Sequence, residues 1–462
     1  MRQLLALSSA LMIAACTVGP DYQTPELAQD PAFHRPIEQP LSTGEVMERW
    51  WVTLGEPELL ALVNQALEVN NTVEIARANL QVARATYAET ARVRLPVGSA
   101  AGNATRQRQG QVFPGFSVDA NEVYRLSIDT TWELDFFGRV RSATAAAAAE
   151  VEAAEASLED AQVAVAAEVG LAFAEMRGTQ RRLEVARRNA ANQRTTLDLT
   201  RTLRDGGRGT DLDVARAEAQ LLATQALIPS LYASVQGQRY RLGVLTRQTP
   251  TQIAAQVTPN GRLPEIPVNI AVGAPSDLLR RRPDVRSAER LLAAATYRIG
   301  VATAELYPRF DLLGSLGRQA FSVGDLSDSD TRSYSIGPAF SWPVLDLARV
   351  RARISAADGR ALAAVNTLEQ TWLNALAETE SALVSFQSEL IRVAALKDAA
   401  AANVRAADLA RRRYRAGVDN FLQVLDAERR VLESEDQLAG SETAAVVALI
   451  ALYKSLGGGW GT

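Results

Sequence analysis

The sequence contains little of what catalysis, metal binding or nucleic-acid binding requires. Its 462 residues include one cysteine, Cys16, and one histidine, His34. A metal cluster, a Cys–His nucleophile pair or a Ser–His–Asp relay needs more of these side chains than the chain has. The formal net charge of −4 provides no strong field for nucleic acid. We therefore expect a protein that is not an enzyme, with no catalytic residues, no metal site and no nucleic-acid partner.

The N-terminal residues 1–15 are typical of a secretory signal peptide. Arg2 precedes an apolar run that is too short to cross a bilayer as a helix. The ending Ile13-Ala14-Ala15-Cys16 resembles a bacterial lipobox, in which Cys16 is lipidated and becomes the mature N-terminus. An ordinary signal peptide with an incidental cysteine is the alternative, but the sole cysteine stands where a lipobox needs it. The next residue is Thr17 rather than aspartate, which predicts an outer-membrane lipoprotein carrying palmitate, with no other cofactor.

Much of the remaining sequence occurs twice, at a constant offset of 210 residues. Matching pairs are Tyr124 and Tyr334, Trp132 and Trp342, Arg139 and Arg349, Gly207 and Gly417, and Glu218 and Glu428. Such self-similarity predicts two copies of one unit. We assign residues 16–57, which are rich in proline, to an extended arm, 58–249 to repeat 1 and 283–462 to repeat 2. Residues 250–282 are a connector, in which we expect short elements packed at the waist of the helices.

Each repeat is predicted to contain two strands. In Tyr124–Leu134, apolar residues alternate strictly with polar ones, as in a strand with one apolar and one polar face. The second copy of this strand, at 334–342, alternates in the same way, the strand at 310–317 alternates less cleanly, and the strand at 97–106 is the weakest of the four. The pattern fits a small transmembrane β-barrel, with a half-buried sheet of a soluble protein as the alternative. The predicted export and the lack of a later apolar run of about 18 residues favour the barrel.

Four strands are too few to close a barrel, because the smallest known barrels have about eight and an open edge cannot face lipid. Several chains must therefore share one barrel. Two chains would supply 8 strands, three would supply 12 and four would supply 16. The residues alone demand an oligomer without fixing its order.

The remainder is predicted to be mainly α-helical, as long antiparallel coiled-coil hairpins. About 65 residues between Gly138 and Asp205 predict one helix of about 95 Å. Apolar residues recur there every seven positions, as in helices that stay in contact over many turns. Gly207 predicts a hairpin turn, and Gly417 the corresponding turn of repeat 2. Pro229 is expected to kink or break the helix that returns from the first turn.

Five motifs, taken in order, resemble those of the TolC-like outer membrane factors, in particular their lipoprotein branch. They are Cys16–Tyr22, Trp132–Arg139, Arg282–Arg286, Gly300–Pro308 and Gly417–Leu422. The resemblance covers nearly all of the mature chain. It implies a homotrimer with a shared 12-stranded barrel in the outer membrane and a helical tunnel in the periplasm.

The same resemblance implies the function. The chain would form the passive, gated exit duct of a tripartite efflux system, partnered by a periplasmic adaptor protein and an inner-membrane transporter of the RND type. A type I protein secretion duct is one alternative, and a structural coiled-coil protein of the envelope is another.

The resemblance also implies a periplasmic gate. In the family's closed tip a Leu ring and an Asp ring narrow the bore, and these align with Leu422 and Asp426. A Tyr–Arg pair, aligned with Tyr414 and Arg415, ties the inner hairpin to its neighbours. In the first repeat Arg216 occupies the position of Asp426. The two hairpins therefore differ at a position where an inner, gating hairpin should differ from an outer one. Three Asp426 carboxylates around one axis would favour cations.

Overall fold

The computed structural model describes residues 18–26, 33–34, 40–42, 44, 47, 49–108, 120–259, 261–275 and 281–458. The predicted signal peptide and Cys16 therefore lie outside the described residues. The chain divides into two compact units, each assembled from three segments. Unit 1 comprises Met1–Glu26, Asn79–Glu155 and Ser287–Glu369, and unit 2 comprises Leu27–Ala78, Ala156–Arg286 and Gln370–Thr462.

The described residues are mostly helical, as predicted. The helices are α1 (Pro57–Val69), α2 (Asn71–Arg92), α3 (Arg139–Asp205), α4 (Asp211–Leu245), α5 (Pro250–Gln256), α6 (Pro283–Ala304), α7 (Leu347–Arg415) and α8 (Phe421–Ser455). The longest, α3 and α7, have 67 and 69 residues.

Unit 1 contains all four predicted strands, in one antiparallel sheet. They are β2 (Val97–Gln107), β3 (Asn121–Leu134), β5 (Arg309–Ala320) and β6 (Arg332–Ser341), and their order in the sheet is β2-β3-β5-β6. Two short strands of unit 2, β1 (Leu41–Ser42) and β4 (Ile270–Ala271), form a separate parallel pair.

The four-stranded sheet exposes its apolar face. Ile128, Leu316 and Tyr334 lie side by side in the register, and their exposed fractions are 58%, 65% and 83%. On the opposite face, the Ser315 hydroxyl donates to Asp129 at 2.6 Å, and the Ser127 hydroxyl donates to the same carboxylate at 2.9 Å. Ser127 itself is buried. This distribution is the reverse of a soluble sheet and typical of strands that face lipid.

The end of the predicted arm is helical rather than extended. Trp50–Leu54 form a short 3₁₀ helix, and α1 already begins at Pro57. Trp50 is buried in unit 2, stacked on Tyr453 at 5.6 Å between ring centres. The prolines indicated an extended chain, but burial of the large indole surfaces favours a compact turn here.

Asn70 separates α1 from α2. Its backbone is extended, with ψ at 135°. Its side-chain amide donates to the carbonyl of Leu245 at 2.8 Å and accepts from the amide of Thr72 at 2.8 Å. These bonds satisfy backbone groups that the break would otherwise leave unpaired.

The core of unit 2 lies along α3. One of the seven-spaced lines is buried throughout, and its members are Val169, Met176, Leu183, Ala190 and Leu197. The connector packs on this core through Ile253, Val257, Ile270 and Val272. The buried guanidinium of Arg177 holds it there, because it pairs with Glu58 and donates to the carbonyl of Thr258 at 3.0 Å.

The helix does not break at Pro229, and a kink there remains a prediction. Helix α4 continues through this residue, from Asp211 to Leu245. Pro229 is exposed, so the carbonyl that loses its partner four residues earlier can be hydrated.

By length and composition alone, α8 is the one helix among the described residues that could cross a membrane. However, 56% of its most apolar window is buried within the protein, as in the core helix of a globular domain.

Candidate functional site at the two hairpin turns

The candidate site consists of the two turns in unit 2 that join α3 to α4 and α7 to α8. The first turn comprises residues 206–210. Gly207 has a φ of +72°, which favours glycine, and no other atom would lie within 4 Å of a Cβ there. The amide of Arg208 donates to the carbonyl of Leu203 at 2.8 Å and thereby closes the end of α3. Thr210 begins α4 through a reciprocal capping box with Asp213.

The second turn, residues 416–420, repeats this backbone. Gly417 has a φ of +78°, and the amide of Val418 donates to the carbonyl of Arg413 at 3.0 Å. Asn420 begins α8 by accepting from the amide of Gln423 at 3.4 Å. The glycines therefore occupy equivalent left-handed positions in the two turns.

Tyr414 and Arg415, the predicted latch, have different environments. Tyr414 is 6% exposed, and its ring lies 5.6 Å from that of Phe421. Its hydroxyl is buried beside the Thr200 hydroxyl, where burial raises the pKa of the phenol, and no well-formed hydrogen bond satisfies it within the described residues. Arg415 is exposed and forms no ion pair or hydrogen bond in the described part of the chain. The structure thus does not bring the two side chains into one contact.

Tyr414 belongs to a small apolar cluster between the helices, which we call the hairpin cluster. Its buried members are Ala190, Leu197, Ala217, Leu221, Tyr414, Phe421 and Val424. All four long helices next to the turns contribute to it. The ring of Tyr414 therefore joins the second hairpin to the first within one chain.

Leu422 and Asp426, the predicted constriction, lie one helical turn apart on the same exposed face of α8. Leu422 is 50% exposed, which is high for a leucine beside a buried cluster. The carboxylate of Asp426 pairs with Arg430 on the same helix at 3.0 Å. This exposed neighbour offsets part of the negative charge that we expected from Asp426.

The two turns differ in their surface ion pairs. In the first, Arg204 binds both Asp205 and Asp211, at 2.8 Å and 3.1 Å. In the second, Arg413 binds Asp419 through two hydrogen bonds of 2.6 Å and 3.1 Å, and its guanidinium lowers the pKa of that carboxyl.

Polar side chains also link α3 to α8 above the second turn. Glu428 is buried and accepts from the Thr196 hydroxyl at 2.5 Å, with Arg411 at 3.9 Å. Burial raises the pKa of this carboxyl, and the two partners lower it in part. Further along, Asn189 donates to Glu435 at 2.7 Å, and Arg182 forms two bonds to Asp436. We call these three links the α3–α8 ladder.

One contact joins the two turns directly. The guanidinium of Arg208 lies so close to Gly417 that a Cβ there would stand 2.6 Å from Nη2. Neither this contact nor the α3–α8 ladder was anticipated from the sequence. The partners lie more than 200 residues apart, and no local pattern marks them.

Comparison with known proteins gives consistent matches over nearly the whole chain. A family model described as outer membrane efflux protein matches residues 62–246 and 274–458. Outer membrane protein OprJ of Pseudomonas aeruginosa is 32% identical over 459 residues, covering 98% of this chain and 95% of that protein. The toluene efflux pump outer membrane protein TtgI of Pseudomonas putida is 30% identical, covering 99% and 98%.

Among solved structures, the outer-membrane channel OprN resembles this chain with a TM-score of 0.91 and 40% sequence identity. The similarity covers 96% of this chain and all of that one. The likeness therefore includes both compact units and is too extensive to reflect a shared helical hairpin alone.

Proposed function

The chain belongs to the outer membrane efflux protein family, and we propose that it forms the passive, gated exit duct of a tripartite efflux pump. It is an outer membrane efflux channel protein with a large periplasmic portion, as its relatives are. The members of the family are channels, so another component of the pump would supply the energy for export. The proposed partners are a periplasmic adaptor protein and an inner-membrane transporter of the RND type.

The observation that carries the proposal is the inverted sheet with two open edges. Its apolar face is exposed, and in the described part of the chain β2 and β6 each pair on one side only. Unpaired backbone groups cannot face lipid, so each edge requires a partner strand. Because β2 and β6 run antiparallel to each other, the β6 edge of one chain can pair with the β2 edge of the next. Three copies joined in this way would form a closed barrel of 12 antiparallel strands.

The proposed gate lies at the second turn. Leu422 and Asp426 would project from α8 towards the axis of the trimer and narrow its bore, which agrees with their exposure in the single chain. Arg415 has no partner within the described residues and is therefore available to a neighbouring protomer. Tyr414 would complete the latch by holding its own hairpin in the hairpin cluster.

The proposed lipid anchor is Cys16. Two residues later the chain is firmly held in unit 1, where Val18 donates to the carbonyl of Phe137 at 3.3 Å. Gly19 lies so close to Gly300 that a Cβ would stand 2.5 Å from the Gly300 Cα. A fixed arm of this kind supports an anchor placed at a defined point on the protein surface.

Planar-bilayer recording tests the duct and its gate together. We expect a detergent-stable trimer that inserts and conducts weakly, with a preference for cations that falls in Asp426→Asn. The double variant Arg415→Ala, Tyr414→Ala should conduct more than wild type, because it removes both the exposed guanidinium and the ring that packs in the hairpin cluster. A monodisperse monomer without conductance would contradict the duct, whereas a double variant no more open than wild type would contradict only the latch.

A further inference from the structure

The contact between Arg208 and Gly417 is specific to one direction. Arg208 of the first turn reaches Gly417 of the second, with Cζ only 3.7 Å from the position of a Cβ. The residue equivalent to Arg208 at the offset of 210 is Val418, which has no such reach. Correspondingly, the space around Gly207 is open. A side chain of the first turn therefore lies against the backbone of the second, and no side chain lies at the equivalent place beside Gly207.

The position of the guanidinium has an electrostatic reason. Gly417 comes directly after the end of α7, where the last carbonyl groups of the helix carry a partial negative charge. The side chain of Arg208 is exposed and has no ion pair or hydrogen bond within the described residues. No carboxylate therefore competes with the end of α7 for the guanidinium of Arg208.

Glycine at 417 serves two purposes at once. Its positive φ lets the chain turn, and its missing side chain leaves room for the guanidinium. Gly207 also lets the chain turn at a positive φ, but no side chain occupies the space beside it. The second is particular to the second turn and exists only because Arg208 lies there.

We propose that Arg208 is a positioning residue of the gate: a strap that holds the second turn against the first and must leave Gly417 before α7 and α8 can move. This inference rests on the proposed function. The strap differs from the Tyr414–Arg415 latch because it acts within one chain and uses no carboxylate and no neighbouring protomer. It adds a charge-dependent contact to the apolar contact that Tyr414 makes.

The expected size follows from a charge at a helix terminus, which typically changes an equilibrium by about two- to fivefold. If three chains must release together, the open-to-closed ratio rises by about tenfold to a hundredfold when all three straps are removed. An effect of this size is readily measured in single-channel records.

The experiment compares three variants in planar bilayers. Arg208→Ala should raise the open-to-closed ratio, and Arg208→Lys should restore most of the closed state because it keeps the charge. The matched control is Arg216→Ala, which removes another exposed arginine of the same hairpin that has no partner among the described residues. Conductance of Arg208→Ala equal to that of Arg216→Ala would overturn the strap. A wild-type trimer that never conducts under any condition would count against the duct itself.

Hydrogen–deuterium exchange provides a readout that does not depend on conductance. In Arg208→Ala, amides of residues 416–420 should exchange several times faster than in wild type, whereas those of 206–210 should be unchanged. Equal acceleration of both turns would indicate a general loosening of the tip and would overturn the directional contact.

Discussion

The two hairpin turns have the same backbone but are held in different ways. Each ends a long helix with a glycine at positive φ and starts the next with a side-chain cap. Yet the position that is Tyr414 in the second hairpin is Arg204 in the first. One carries a buried ring and the other an exposed ion pair. The two turns thus share one backbone geometry, while the side chains at this equivalent position differ.

The same contrast recurs further along the returning helices, α4 and α8. Glu428 is buried and bonded to Thr196, whereas its equivalent, Glu218, is exposed on α4 and 3.8 Å from Arg201. A hairpin held by buried groups is sensitive to small changes at those groups. A hairpin held at its surface tolerates them, since exposed ion pairs contribute little.

The largest expected difference between the hairpins comes from Tyr414→Ala. Removing a buried aromatic side chain typically costs about 3–5 kcal/mol. We expect the second turn to exchange amide hydrogens far faster, with a clear fall in melting temperature measured by circular dichroism in detergent. Arg204→Ala, at the equivalent position, should leave the melting temperature unchanged. Equal effects of the two variants would remove the distinction between the turns.

A second comparison uses the glycines. Alanine at a left-handed position costs about 1–2 kcal/mol, so both Gly207→Ala and Gly417→Ala should destabilise their turns. The cost should be slightly larger at Gly417, because the new methyl group also displaces the flexible end of the Arg208 side chain. Exchange rates of peptides across each turn measure the difference.

The control for the glycine comparison is the same pair of substitutions in an Arg208→Ala background. There the two costs should become equal, because nothing would fill the space beside Gly417. A difference that persists without Arg208 would show that another contact is responsible.

The helix caps should show a smaller difference, in the opposite direction. Loss of a capping side chain typically costs about 1 kcal/mol. Thr210→Ala removes the two bonds of the hydroxyl, which accepts from the Asp213 amide at 3.2 Å and donates to the Asp213 carboxylate at 2.7 Å, whereas Asn420→Ala removes one bond of 3.4 Å. Exchange at the start of α4 should therefore accelerate more than at the start of α8. Thr210→Ser, which keeps the hydroxyl, is the control and should behave as wild type.

The smallest expected effect is a pH dependence due to Glu428. Its pKa is raised by burial, so the folded protein binds this proton more tightly than the unfolded chain, where the pKa is about 4.3. Stability from this group is therefore present at low pH and decreases as the pH rises through the folded pKa. Relative to Glu428→Gln, wild type should lose melting temperature between acidic and neutral pH. Parallel profiles of the two proteins would contradict this assignment.

Elements with a strong local pattern were predictable from the sequence. The long helices follow from seven-residue periodicity, and the strand β3 follows from strict alternation. The helix is unbroken at Pro229 because a proline can remain in a helix when its side is exposed. The 3₁₀ turn at Trp50 was missed since burial against Tyr453, 400 residues away, determines it.

The candidate site was predictable only in part. Glycines mark the turns, and the family resemblance singled out Tyr414, Arg415, Leu422 and Asp426. The environments of these residues were not visible, because they depend on how four helices pack. The pairing of Asp426 with Arg430 and the contact of Arg208 with Gly417 depend on side-chain positions that no sequence pattern specifies.

The α3–α8 ladder limits how the second hairpin can travel. Its three links lie at Thr196, Asn189 and Arg182, each seven residues apart, and they meet carboxylates on α8. A translation of α8 along α3 by one helical turn would break all three links at once and leave the buried Glu428 without the Thr196 hydroxyl that donates to it. A rotation of α8 about the links at Asn189 and Arg182 breaks at most the link at Thr196, which lies nearest the turn. Any opening of this protein should therefore be a hinge motion that is widest at the second turn.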